Sequence, residues 1–261
     1  MPEGNTIFRR VRGILTAALL GLILLIMDLI QRTLLVGMIK VRPSSRERVL
    51  TRWKRLLGEI VVWNIQRFGG AALDLRPRIR SRPGVLILSN HQSLLDIPLI
   101  IHCVEDGYAL FVTRERYSRG FPLISKIIRL YGHPTVRPGE RIAGQLERLK
   151  TAAVEAGGPI VIFPEGSRTR DGEIGRFRTA GLRVILGARK WSVYVVVLDG
   201  FWKSAHVSGF IRNVASMRGV VDSVGPFEFD PKHDSMNGFI ADMDRRMRDK
   251  LQEMQGARGS S

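Results

Sequence analysis

VLILSNHQSLLDIPLII, residues 85–101, reads in turn as strand, loop and helix. Residues 85–89 are a short apolar run with β-branched members, the pattern of a buried strand. NHQSLLD at 90–96 then turns polar, and Pro98 suits the opening of a helix over 98–104. The same order recurs downstream, where PIVIF at 159–163 is a second buried strand and FPEGSRT at 163–169 is the loop leaving it. Loops at strand ends are where open α/β sheets collect their chemistry. The first loop supplies His91 and Asp96, a base and a carboxylate to orient it. The second supplies Glu165, Gly166 and Arg168 in one tight turn, a shape suited to holding an anion. A base beside an anion clamp points to a transferase acting on a phosphorylated substrate.

Working outward from these loops, a charged, proline-interrupted linker at 74–84 precedes the first strand. After it the pattern predicts a strand over 109–113, a helix over 122–130 and an extended piece at 133–136. A helix over 139–156 places Ile142, Leu146, Leu149 and Ala153 on one face. A further helix over 179–188, a buried strand over 193–198, a last strand at 220–224 and a polar closing helix over 236–254 complete the chain. This alternation predicts an α/β fold, a central mixed sheet flanked by helices. Residues 71–261 form that domain, and residues 1–70 a membrane-inserted or interfacial helical element ahead of it.

The 261 residues allow one sizeable domain plus a peripheral element, and 44% hydrophobic content excludes general disorder. A formal charge of +17 implies an anionic partner, either nucleic acid or anionic lipid. The N-terminus chooses between them. Residues 14–27, ILTAALLGLILLIM, carry no charge, and the apolar character continues to residue 39 with interruptions at Asp28, Gln31 and Arg32. Asp28 and Arg32 stand four apart, so they can pair on a helix. A bilayer crossing takes about 20 apolar residues, more than the clean run and fewer than the whole segment. Arg9, Arg10 and Arg12 precede it and Lys40, Arg42, Arg46 and Arg48 follow, which favours both ends on the cytoplasmic face and insertion without a full crossing. No small-residue cleavage site follows, so a signal peptide is not expected. The next stretch, 45–68, spaces Val49, Trp53, Leu56, Ile60 and Trp63 as a helical stripe among arginines, suited to an anionic membrane interface. The basic residues are spread along the chain without a nucleic-acid motif, so anionic membrane lipids are the expected partner and nucleic acid is not.

Cys103, the single cysteine, lies in an apolar run and reads as inert core. No G-x-S-x-G elbow occurs, and Ser93 reads as the cap of the helix behind it. With no enzyme nucleophile in view, a substrate hydroxyl activated by His91 is the expected attacking group. His102, His133, His206 and His233 show no metal-ligand spacing, so neither a metal nor a cofactor is expected.

NHQSLLD resembles the H-x-x-x-x-D block of the glycerophospholipid acyltransferases, and FPEGSRT resembles their phosphate-binding E-G-x-R block. RFRTAG at 176–181 is similar to the F-x-x-G segment that follows it, and the likeness runs roughly from residue 85 to 200. The nearest branch is that of the 1-acylglycerol-3-phosphate acyltransferases. The resemblance implies acyl transfer from acyl-CoA or acyl-carrier protein to the free hydroxyl of lysophosphatidate, giving phosphatidate. Glycerol 3-phosphate or another lyso-lipid, such as lyso-ornithine lipid, is the alternative acceptor. By position, His91 is then the general base, Asp96 its orienting partner, and Glu165, Gly166 and Arg168 the acceptor site, with Arg168 on the phosphate. Arg137, in GHPTVRP at 132–138, falls one place earlier than the family's second-block arginine, with Pro138 in the expected place, and the resemblance implies that it joins the acceptor site beside Arg168.

Overall fold

The computed structural model describes residues 3–137 and 142–259. In chain order the elements are α1 (Glu3–Ile30), α2 (Val36–Val41), α3 (Arg46–Trp63), β1 (Ala72–Leu75), β2 (Ile79–Arg80) and β3 (Val85–Ser89). Next come α4 (Asp96–Cys103), β4 (Val104–Glu105), β5 (Leu110–Phe111), β6 (Thr113–Arg114), α5 (Ile124–Tyr131), β7 (Thr135–Val136) and α6 (Ile142–Glu155). The chain closes with β8 (Ile160–Ile162), α7 (Thr179–Ala188), β9 (Trp191–Asp199), α8 (Val207–Asn213), β10 (Arg218–Phe229) and α9 (Met236–Gly259).

Six strands form the central sheet in the order β1-β10-β9-β3-β8-β5. β9, β3, β8 and β5 run parallel, β10 is antiparallel to β9, and β1 is parallel to β10, so the sheet is mixed as expected. Both faces are covered. Val85 and Ile87 of β3 join a core with Val61, Leu99, Ile100 and Phe210, supplied by α3, α4 and α8. Leu86 and Leu88 face the other way, onto Leu182, Ile185, Met243 and Met247 of α7 and α9. A strand covered on both sides has no solvent face, which is why β3 and β8 read as unbroken apolar runs instead of alternating ones. α9 looks polar in sequence because its buried face is a single stripe, Ile240, Met243, Met247, Leu251 and Met254, spaced three and four apart.

Several expectations need correcting. The segment 74–84 is not simply a linker, since β1 extends into it and β2 lies within it; β1 finds its partner in β10, far along the chain. The last strand is much longer than 220–224, because twelve residues of β10 pair along β9 with a register shift between Val224 and Phe227. α8 went unrecognised. The helix placed over 139–156 is described from Ile142, with Leu149 and Ala153 buried as the stripe requires; Pro138 lies outside the described residues.

The N-terminal element is one helical run, α1 passing through a π-turn at Gln31–Leu35 into α2. It breaks at Arg42, and a short 3-10 turn leads into α3, which folds back along it. Gly13, Thr16, Gln31 and Leu35 are buried, and Ala17, Leu20, Leu24 and Met27 pack between them, a stripe at spacings of three and four. The opposite side exposes Phe8, Leu15, Leu22, Leu25, Leu29 and Leu34. Gly13 allows the closest approach, for a Cβ there would sit 1.8 Å from the Ile211 carbonyl oxygen on α8. The polar interruptions are used as well. Asp28 pairs with Arg32 at 2.8 Å, Leu123 N–H donates to Asp28 Oδ1, and Gln31 donates to the Leu123 carbonyl while accepting from Trp53 Nε1. The α3 stripe is therefore split: Trp53 is buried against α1, while Leu56 and Trp63 remain exposed. The sequence stripe lies about one residue off the observed buried face of Leu50, Trp53, Leu57 and Val61, because α1 takes one side of α3 and the sheet the other.

Candidate active site

β3 ends at Ser89, and the loop that follows is pinned on both sides of His91. Asn90 donates to the Leu198 carbonyl and accepts from Leu198 N–H, both at 2.8 Å, fixing the loop to the end of the neighbouring β9. Gln92 accepts from Phe201 N–H at 3.0 Å and donates to the Gly172 carbonyl at 3.2 Å. Buried amides need partners, and here those partners hold the backbone of His91 at two points. These residues went unnoticed in the sequence. The only signal was their polarity directly after a buried strand.

Asp96 is fully buried at the start of α4, and its Oδ2 lies 2.6 Å from His91 Nδ1. The same carboxylate accepts Gln92 N–H at 2.6 Å, Ser93 N–H at 2.9 Å and the Ser93 hydroxyl at 2.8 Å. With every neighbour donating, the carboxylate leaves Nδ1 as a further donor, which assigns the lone pair to Nε2. Ser93 does not cap the helix through an N2 or N3 amide; it accepts Leu95 N–H and donates to Asp96, so it braces the acid. The His91 ring stacks on Phe163 with centroids 4.3 Å apart, and its side chain is 19% exposed, enough to meet a substrate.

The second loop locks against the first. Thr169 N–H donates to the His91 carbonyl at 2.8 Å, and His91 N–H donates to Glu165 Oε1 at 2.8 Å. Glu165 Oε2 accepts Gly175 N–H at 2.7 Å. Both carboxylate oxygens are thus spent on backbone, and no contact joins Glu165 to Arg168. Burial pushes the Glu165 carboxyl above the usual range, and the Gly175 and His91 amides oppose that shift. Glu165 thereby staples the two loops together. Gly166 turns at φ +67, a region that favours glycine, and any Cβ would also press on the Arg178 side chain at 3.1 Å.

Arg168 is half-buried and donates through Nη1 to the Ala205 carbonyl, ahead of α8. Arg137, at the end of the β6–β7 ribbon, faces Glu115 at 3.7 Å and shows no contact with the His91 loop. Arg114, on β6 beside it, reaches in and donates to the Gly166 carbonyl at 3.1 Å. Nothing local in TRERYSR distinguished Arg114 from its basic neighbours. Cys103 is buried as expected, and burial pushes its thiol up to about 12.

The two loops thus build one site, a buried carboxylate on a histidine at one strand end locked to an arginine-bearing glycine turn at the next. Residues 74–198 match the family model described as Acyltransferase. A 1-acyl-sn-glycerol-3-phosphate acyltransferase from Cocos nucifera is 23% identical over 149 residues, covering 56% of this chain and 46% of that protein. The chain thus spans about half the length of this curated relative. The crystal structure of the 1-acyl-sn-glycerophosphate (LPA) acyltransferase PlsC from Thermotoga maritima superposes with a TM-score of 0.64 over 95% of this chain and 98% of that one, at 18% identity. That likeness establishes a shared fold, including the apolar helix at the N-terminus.

Proposed function

We propose that this protein transfers a fatty acyl group from an acyl thioester to the free hydroxyl of lysophosphatidate, forming phosphatidate. The observation that carries the reading is the His91–Asp96 pair, with a buried, fully hydrogen-bonded carboxylate on Nδ1. Nε2 of His91 takes the proton from the acceptor hydroxyl as its oxygen attacks the thioester carbonyl. Asp96 stabilises the imidazolium that results. Collapse of the tetrahedral species breaks the carbon–sulfur bond, and the departing thiolate recovers that proton from His91. The products are an ester and a free thiol, with no acyl-enzyme. Arg168 and Arg114, on either side of the Gly166 turn, are the cations placed to hold the acceptor phosphate, whose charge matches the guanidinium fork.

Membrane seating supports the same reading. The helix Thr6–Val41 is 36 residues long and apolar. Its contacts to the domain run from Gly13 on α8 to Leu35 beside Leu50, roughly 33 Å along the axis, as much as a hydrocarbon core of about 30 Å. Crossing the bilayer would drag α3 and α8 into lipid with it. The helix instead lies in one leaflet, its domain-facing stripe covered and its outer side in acyl chains. Leu94 and Ile97 beside the catalytic pair, exposed at 42% and 38%, extend that apolar side toward the site. The active site then works at the cytoplasmic surface, where an anionic lipid acceptor meets a chain of charge +17.

Purified protein in detergent, given an acyl thioester and lysophosphatidate, should release thiol and form phosphatidate, and His91→Ala should abolish both while leaving the melting temperature intact. Preference for glycerol 3-phosphate or lyso-ornithine lipid over lysophosphatidate would reassign the acceptor. A stable fatty-acyl adduct on Ser93, Ser167 or Cys103 after exposure to donor alone would refute direct transfer.

A further inference from the structure

The turn between β6 and α5 displays apolar side chains that the fold itself does not use. Phe121 and Ile124 are exposed at 44% and 45%, while Leu123 between them is buried among α1, α3 and α5. Leu123 takes φ +62, a region that residues other than glycine rarely enter. Such backbone persists where its surroundings over-determine it, and here α1 does so. Leu123 N–H donates to Asp28 Oδ1 at 2.8 Å, and its carbonyl accepts from Gln31 Nε2 at 3.1 Å. Phe121 is braced as well. Its N–H donates to the buried Ser125 hydroxyl at 2.8 Å, and that hydroxyl donates back to its carbonyl at 2.7 Å. One leucine is thus tucked under α1 while its neighbours stand out, and α1 is apolar and exposed at the same level, with Leu25 and Leu29 on either side of Asp28 in sequence. An apolar pair held this firmly in the open needs an apolar partner.

Charge identifies that partner. Arg116, Arg119 and Arg129 are exposed around the turn, and Lys126 is half-buried. Arg116 leans over the Tyr117 ring, and Arg129 donates to the Ser125 carbonyl of its own helix. Among the described residues none of these four cations pairs with a carboxylate, and Glu115, the single acid of residues 115–131, faces Arg137. Arginines around exposed aromatic and aliphatic side chains suit the boundary between headgroups and acyl chains in an anionic bilayer. A helix lying in one leaflet leaves the domain free to roll about the helix axis. A second contact to the side of that axis stops the roll, and Arg114, at the head of this segment, carries the constraint to the Gly166 carbonyl.

Resting on the membrane seating proposed above, we infer that residues 116–129 are a second membrane-contact element. Phe121 and Ile124 enter the acyl boundary, and Arg116, Arg119 and Arg129 meet the phosphates of anionic lipids. The partner is the bilayer itself, reached at a point off the α1 axis.

The test places one fluorescent label at a time on the full-length protein in vesicles, through Leu22→Cys on α1, Phe121→Cys or Lys232→Cys. Cys103 is buried and does not compete for the label. Lys232 is exposed in the turn before α9, which covers the opposite face of the sheet. Lipids carrying a nitroxide on the acyl chain should quench the labels at positions 22 and 121 and spare that at 232. Replacing phosphatidylglycerol by phosphatidylcholine, or the triple variant Arg116→Gln, Arg119→Gln, Arg129→Gln, should weaken quenching at 121 and leave 22 unchanged. Quenching at 22 with none at 121 overturns the inference and leaves the seating of α1 standing. Quenching at neither removes the seating and the inference with it. A label at 121 that is shielded from water in detergent and indifferent to lipid means that a protein covers the turn, which also overturns the inference. Activity gives an independent readout. Phe121→Ser with Ile124→Ser should slow acylation of vesicle-borne lysophosphatidate by roughly tenfold, the transfer worth of two half-exposed side chains, and leave detergent-dispersed substrate within about twofold. Phe121→Trp should keep the vesicle rate, because an indole suits the same boundary. An equal loss in vesicles and in detergent would assign the pair to folding or chemistry and overturn the membrane contact.

Discussion

Asp96→Asn changes one atom at the centre of the site, and the surrounding hydrogen bonds fix what that atom does. Asp96 Oδ2 accepts from His91 Nδ1 and Gln92 N–H, and Oδ1 accepts from the Ser93 hydroxyl, with Ser93 N–H shared between them. An asparagine must present its NH2 to one of these sides. Facing His91, it forces Nδ1 to accept and moves the proton to Nε2, the position that must stay free to act as base. Facing Ser93, it sets the NH2 against a backbone N–H and deprives the imidazolium of its negative partner. Either orientation leaves a buried donor unmatched, at about 1–3 kcal/mol of stability. The corresponding change in a serine-protease triad lowers turnover by about 10⁴, and a loss of roughly 10² to 10⁴ in kcat is expected here. Thiol release from an acyl thioester in the presence of lysophosphatidate measures the rate, and a thermal melt in the same detergent measures the stability. The acceptor KM should change by less than about threefold, since Asp96 touches no substrate. Retention of more than about a tenth of wild-type kcat would refute the general-base role of the pair.

Three further perturbations probe other parts of the molecule. Arg168→Ala should raise the lysophosphatidate KM by roughly ten- to a hundredfold, the worth of a charge-assisted contact, while Arg168→Lys rescues only partly; a fall in melting temperature with both KM values unchanged would reduce Arg168 to an anchor for the Ala205 turn. Burial pushes Lys54 on α3 down to about 7 from lysine's ordinary 10.5, and its nearest partner is the Gly107 carbonyl at 3.4 Å. The unfolded chain therefore holds a proton between about pH 7 and 10.5 that the folded chain lacks, so Lys54 makes stability rise with pH through that window and fall as pH drops back toward 7. Lys54→Met should flatten that rise and stabilise the protein at pH 7 by several kcal/mol, and an unchanged pH dependence of the melt would count against the buried amine. Gly13→Ala drives a methyl into the Ile211 carbonyl and should cost about 1–3 kcal/mol, whereas Gly21→Ala, which meets nothing within 4 Å, should be neutral or slightly stabilising; equal effects at the two sites would mean that α1 does not dock along α8.

Local pattern carried the α/β fold class and most of its elements. β3 and β8 declare themselves by unbroken apolar runs because both sheet faces are covered, and α7 by an apolar segment of helical length. His91 and Asp96 were legible because they sit five residues apart on one loop, where chain connectivity alone limits their separation. The pairing of Asp28 with Arg32 followed from helical spacing in the same way. β1 was missed because four residues with one charge signal little by themselves, and their stability comes from a partner strand about 150 residues later.

The tertiary structure alone decided what surrounds the pair. Asn90 and Gln92 hold the loop through contacts about 110 residues away, and Glu165 staples the two loops because packing delivers the His91 and Gly175 amides to its two oxygens. Arg114 reaches the glycine turn while Arg137 stays outside, a choice made by which β-ribbon residue points inward. Composition shows that residues 14–39 are apolar, but only the folded structure shows that a stripe from Gly13 to Leu35 docks on the domain. Hydropathy and spacing are properties of neighbours along the chain. Orientation of a side chain toward a distant backbone donor is a property of the folded surface, and no local pattern encodes it.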